Sequence, residues 1–95
     1  MTAEHRAAAP QIYAALKAGV EFSRTATVAQ TERFVTERID SDPLLKVEYF
    51  QIVDADTLLP LDQWREGVAT RGCAAVQAGA VRLIDNVGGY GPYDK

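Results

Sequence analysis

Few side chains in this 95-residue chain suit covalent or acid–base chemistry. The single histidine, His5, is by type a general base near neutral pH. It stands between Glu4 and Arg6 with no nucleophile beside it in sequence, and reads as a solvated surface side chain. The single cysteine, Cys73, reacts only as a thiolate, which a neighbouring positive charge must stabilise. Its apolar run offers no such partner, so it reads as a small buried hydrophobe. One histidine and one cysteine do not make a metal site. Asp54 and Asp56 are two residues apart, so on an extended chain both could face one way, as paired carboxylates or ligands for a hard cation do. They fall where the chain must turn, and aspartate there bonds its own backbone. Arg82, Asp85 and Asn86 remain. Strand alternation sets Arg82 on the face opposite Leu83 and Asp85, and a salt bridge or an Asx turn competes with a cleft-lining role. Trp64, beside Arg65, either folds under as a lid on the core or contacts a partner. No residue is assigned a catalytic, cofactor-binding or metal role.

The elements that would position these residues follow from periodicity. Ala9, Ile12, Tyr13, Leu16 and Val20 recur at helical steps and form one apolar stripe. Thr2 is placed to cap that helix, Pro10 to kink it, and Gly19 with Ser23-Arg24-Thr25 to end it. Thr27-Val28-Ala29-Gln30 has the spacing of a capping box. Val28, Phe34, Val35 and Ile39 share a face of the second helix, which Asp40-Ser41-Asp42-Pro43 stops. Lys46 to Asp54 reads as a strand, with Val47, Tyr49 and Val53 on one face and Glu48, Phe50 and Ile52 on the other. Leu58 to Gly72 is weakly patterned, with a short helical turn expected near Asp62–Glu66. Gly72–Ala78 and Ala80–Asp85 are strands joined tightly at Gly79. The fold class is therefore α+β: a two-layer domain, two N-terminal helices packed on a three-stranded antiparallel sheet. The expected core comprises Ile12, Leu16, Phe34, Val35, Ile39, Val47 and one of Leu83 and Ile84, with Ile84 favoured.

Composition narrows the function classes. With 47% hydrophobic and 24% charged residues the chain is globular and not disordered. Its length fits one domain. A net charge of −3 without a basic stripe speaks against nucleic acid as a partner. The apolar runs fall well short of the ~20 residues that cross a bilayer, which speaks against a membrane. One unpaired cysteine and no signal peptide suggest the cytoplasm.

Two segments carry a resemblance. Val47-Glu48-Tyr49-Phe50-Gln51-Ile52-Val53-Asp54-Ala55-Asp56-Thr57-Leu58 and Gly79-Ala80-Val81-Arg82-Leu83-Ile84-Asp85-Asn86 resemble the signature strands of the C-terminal domain of the pantoate–β-alanine ligase (pantothenate synthetase) family. Glu4 to Ala9 resembles the helix that follows the family's mobile ATP-binding loop. The similarity runs from about Ala3 to Asn86. It divides the chain into a C-terminal lid domain at 1–87 and a flexible tail at 88–95. The family's His-x-Gly-His element is absent, Gln77-Ala78-Gly79 departs from its commoner pattern, and Leu61 to Arg71 is longer than usual.

The resemblance implies an AMP-forming ligase of pantothenate biosynthesis, on the coenzyme A pathway. Pantoate and ATP give a pantoyl adenylate, which β-alanine attacks. ATP and Mg2+ belong to the parent enzyme, with none expected bound to this chain alone. The chain is expected to be an excised or stand-alone domain, inactive by itself. Its implied partner is an N-terminal Rossmann-like domain, and a weak homodimer is a further expectation. The sheet face away from the helices, bearing Phe50 and Ile52, should turn toward that domain, and Arg82, Asp85 and Asn86 are the cleft-facing candidates. The competing reading is a free-standing, non-catalytic α+β module for interaction or dimerisation.

Overall fold

The computed structural model describes residues 3–93, with side chains from residue 10 onward. The Thr2 cap and the His5 side chain lie outside the described residues. Helix α1 (Ala3–Phe22) runs continuously through Pro10. It carries on past Gly19 because that glycine sits under the second helix, where a Cβ would overlap Val35. Ile12, Ala15, Leu16 and Val20 form its buried stripe, whereas Tyr13, expected in the core, is 51% exposed. A short 3-10 turn (Ser23–Thr25) leads to α2 (Val28–Asp40). Both bonds of the expected capping box form: Gln30 N donates to Thr27 Oγ1, and Thr27 N to Gln30 Oε1, each at 3.0 Å. Val28, Thr31, Val35 and Ile39 are the buried face of α2. Phe34 is only partly buried. Its ring stacks on Phe22 with centroids 4.3 Å apart and planes 6° from parallel.

Strands β1 (Leu45–Asp54), β2 (Thr70–Ala78) and β3 (Val81–Gly88) form an antiparallel meander in the order β1-β2-β3. The expected α+β architecture of two helices on a three-stranded sheet is what the chain adopts. Gly79 takes φ 63° at the first position of the β2–β3 turn, the conformation a tight two-residue hairpin asks of glycine.

The faces of β1 differ from the expectation, and the reason is one residue. The β1–β2 register shifts between Val47 and Tyr49. A bulge of this kind resets the alternation of side chains. Leu45 and Val47 before it, and Phe50 and Ile52 after it, therefore all turn toward the helices. Phe50 is 6% and Ile52 0% exposed, so neither forms an uncovered patch. On β3 it is Leu83 that packs against the core, while Ile84 is 63% exposed.

The free edge of β1 is closed by the chain itself. Asp40 Oδ1 accepts from Val47 N at 2.9 Å, and Glu32 Oε2 from Ile52 N at 3.1 Å. Farther along, Asp54 N donates to Leu59 O, and Leu61 N to Ile52 O, both at 2.9 Å. The β1–β2 connection forms bends and turns where a helical turn was expected. Trp64 folds under, its Nε1 donating to Ala26 O at 2.7 Å. The segment after β3 packs down as well. Tyr90 is 2% exposed and belongs to the core, seated against Gly19 and Gly72, so Gly89–Gly91 is held as a strap within the expected tail, while Tyr93 is 52% exposed.

Candidate functional site

The sheet face away from the helices gathers most of the polar candidates. Its rows are set by register: Lys46, Gln77 and Arg82; then Tyr49, Ala75 and Ile84; then Gln51, Cys73 and Asn86. Glu48, at the bulge, reaches across to β3, where Arg82 Nε donates to its Oε2 at 2.8 Å. The two side chains are 52% and 38% exposed, so the pair orients the guanidinium and adds little stability. Arg71 in turn donates to Asn86 Oδ1. The central row is the apolar part. Tyr49 and Ile84 flank Ala75, which they leave with no exposed surface.

Of the three cleft candidates, the structure places Arg82 and Asn86 together on this face. Asp85 alternates to the helix side, half-buried, as the sequence spacing implied. Its Oδ1 accepts from Asn86 N at 2.8 Å, so it serves the backbone. Asp54 and Asp56 do not pair. Asp54 Oδ1 accepts from Asp56 N at 2.8 Å and from Thr57 N at 3.2 Å, which is the turn-forming role. Cys73 is free and half-exposed in the middle of the outer face, not buried as expected, because strand parity turns it away from the core. Among the described residues no three His, Cys, Asp or Glu side chains are grouped to hold a metal ion. None of the described helices is long and apolar enough to cross a membrane.

Two groups have shifted acidity. Burial raises the Glu32 carboxyl above its ordinary value, partly offset by the bond from Ile52 N. Burial also pushes the Tyr90 phenol well up, with smaller contributions from Cys73 and Asp85. Glu48 and Arg71, which hold Arg82 and Asn86, were not legible beforehand. Each partner lies on a different strand, and no short-range spacing announces the contact.

The family model for pantoate-beta-alanine ligase matches residues 1–88. The pantothenate synthetase of Bacteroides fragilis (strain YCH46) is 41% identical over 87 residues, covering 92% of this chain and 31% of that protein. The bifunctional pantoate ligase/cytidylate kinase of Trichodesmium erythraeum is 38% identical over 94 residues, covering 92% of the chain and 17% of that protein. A crystal structure of pantothenate synthetase from Thermus thermophilus superposes with a TM-score of 0.78 at 36% identity, covering 95% of this chain and 32% of that one. This chain belongs to the pantoate–β-alanine ligase family, and it corresponds to the C-terminal domain of pantothenate synthetase. It spans about a third of the length of the pantothenate synthetases it matches.

Proposed function

We propose that this domain is the lid of an enzyme that forms pantothenate from pantoate, β-alanine and ATP through a pantoyl adenylate. In that reaction the pantoate carboxylate attacks the α-phosphate of ATP and pyrophosphate leaves. The amine of β-alanine then displaces AMP from the acyl carbon. An acyl adenylate is open to hydrolysis, so a domain that closes over it excludes water and holds the amine in attacking geometry. The observation that carries this reading is the family match across residues 1–88.

The partner is an N-terminal, Rossmann-like nucleotide-binding domain, which would hold ATP. The Mg2+ that such chemistry employs would accompany the phosphates of ATP in that domain. The outer sheet face is the surface assigned to the cleft, with Arg82 and Asn86 presented toward it. Asp85, turned to the helices, accepts from Asn86 N and is not on that face. Weak self-association, if the chain is alone, would use the Tyr49–Ala75–Ile84 row. The cytoplasm is the compartment that suits a lone unpaired thiol.

The test is a chimaera in which this chain replaces the matching third of the Bacteroides fragilis enzyme. AMP release is followed with and without β-alanine. The chain alone should give only background AMP. The chimaera should form pantothenate, and its AMP release without β-alanine should fall well below that of the remaining two-thirds alone. Turnover by the isolated chain in proportion to its concentration would overturn the proposal. So would a chimaera that leaks AMP as freely as the enzyme lacking a lid.

A further inference from the structure

The two ends of the layered domain are finished differently. At one end Ser23 and Arg24 bond the backbone of Gly89 and Gly91, and Trp64 Nε1 bonds that of Ala26, so the layers are tied together. The other end holds the first residue of β1 and the β2–β3 turn, since Leu45 pairs with Ala78. A recess of about 360 Å³ opens there, between residues 43–46 and residues 77–79. Leu44 stands at its rim, 58% exposed. The leucine is held in place: Asp42 Oδ1 accepts from Leu44 N at 2.9 Å, and Asp42 O from Leu45 N at 3.0 Å. A side chain presented on a fixed turn gives up little backbone freedom when it is covered. Lys46, two residues on, forms no ion pair among the described residues. The recess is thus mainly apolar, with one unspent positive charge beside it.

The course of α1 says what lies over this recess. Gln11, Ala14 and Ala15 stand beside Ile39, Ser41 and Leu45, so at Gln11 the helix is already level with the start of β1. Residues 3–10 carry its axis about 12 Å farther, away from the tied end at Ser23. Chain that precedes residue 3 therefore enters at the open end. The pantothenate synthetases that this chain matches have about two-thirds of their length outside the matched third. Because the match is to their C-terminal domain, that length precedes it.

We propose that the recess at the β2–β3 turn is the seat of the preceding domain, whose surface inserts an apolar side chain beside Leu44 and sets a carboxylate against Lys46. Contacts between domains of one chain are of this mixed kind, an apolar centre with a polar rim. The seat is separate from the outer sheet face, which stays free for the cleft. The inference rests on the proposed N-terminal partner domain, and not on the reaction that the two domains carry out.

The test compares hydrogen exchange in the isolated chain and in the chimaera with the Bacteroides fragilis enzyme. The amides read are those of Leu44, Gly79 and Ala80, with Asp56 as the control. Leu44 N and Asp56 N are each held by the carboxylate of an aspartate two residues back, at 2.9 and 2.8 Å, near opposite ends of β1. In the chimaera the first three should exchange at least about tenfold more slowly, and Asp56 within about twofold of its rate in the isolated chain. Leu44→Gln should return Gly79 and Ala80 to their isolated-chain rates, while leaving the urea midpoint of the isolated chain in place. Unchanged rates at Leu44, Gly79 and Ala80, equal slowing at all four amides, or protection that survives Leu44→Gln would each overturn the seat. If the chimaera does not fold, the isolated chain is titrated with the remaining two-thirds of the Bacteroides fragilis enzyme and the same amides decide. Pantothenate formation is recorded on the same chimaera. Protection at Leu44 without activity would reject the ligase reading and keep the seat, and activity without protection would do the reverse.

Discussion

Ile52 and Ile84 have the same side chain on the same sheet, and the structure assigns them opposite fates. Ile52 is 0% exposed between β1 and the helices, while Ile84 is 63% exposed on the outer face. Truncating a buried isoleucine to alanine costs about 2–5 kcal/mol, from lost transfer free energy plus the cavity left behind. A surface change away from special features stays within about 0.5 kcal/mol. By per-residue scaling the whole domain is worth only about 5–14 kcal/mol, so Ile52→Ala removes a large share of it. With a urea dependence of about 1–3 kcal/mol per molar, the Ile52→Ala midpoint should fall by about 1–3 M. The Ile84→Ala midpoint should move by less than about 0.5 M on the same scale. Chemical denaturation followed by Trp64 fluorescence reads both. Equal shifts, or a larger shift for Ile84→Ala, would show that the two faces of the sheet are not covered as described.

Glu32→Gln tests the buried carboxyl. Its folded-state pKa is raised above 4.5, so its stabilising contribution is full below 4.5 and is lost as pH rises through the folded value. The glutamine variant, which keeps an oxygen for Ile52 N, should match or exceed the parent at neutral pH and show a flatter profile above 4.5; a variant less stable only at neutral pH contradicts this. Thr27→Ala removes a capping oxygen and should cost about 0.5–2 kcal/mol, measured by urea denaturation, with no change indicating that the box is dispensable. Trp64→Phe keeps most of the packing but loses the bond to Ala26 O, and should cost about 1 kcal/mol by circular dichroism. A change near zero would place the indole in solvent.

Local signals were readable in the sequence because their causes are local. The capping box is four consecutive residues, and both of its bonds form. The Asp54 turn is settled within three residues. The strand parity that separates Arg82 from Asp85 needs only counting. The faces of β1 were not readable, since a bulge leaves no mark in composition and one extra residue inverts everything beyond it. The strap was missed for a related reason. Gly-Gly-Tyr-Gly-Pro-Tyr has the make-up of a loose tail, and its socket is formed by Gly19 and Gly72, which are remote in sequence. Cys73 followed the same parity rule as Arg82, but its apolar neighbours suggested burial. The contacts that orient Arg82 and Asn86 join different strands and depend on register.

The closed edge of β1 limits how many neighbours this sheet can recruit. Asp40, Glu32 and the Leu59–Leu61 segment occupy one margin of the sheet, and only the β3 margin lies opposite. A molecule with a single strand-accepting margin can meet one other such molecule and then has nothing left to offer a third. Growth by strand addition therefore terminates at a pair, where a sheet open on both sides would propagate into a fibre. Two carboxylates on α2 thus act as chain terminators.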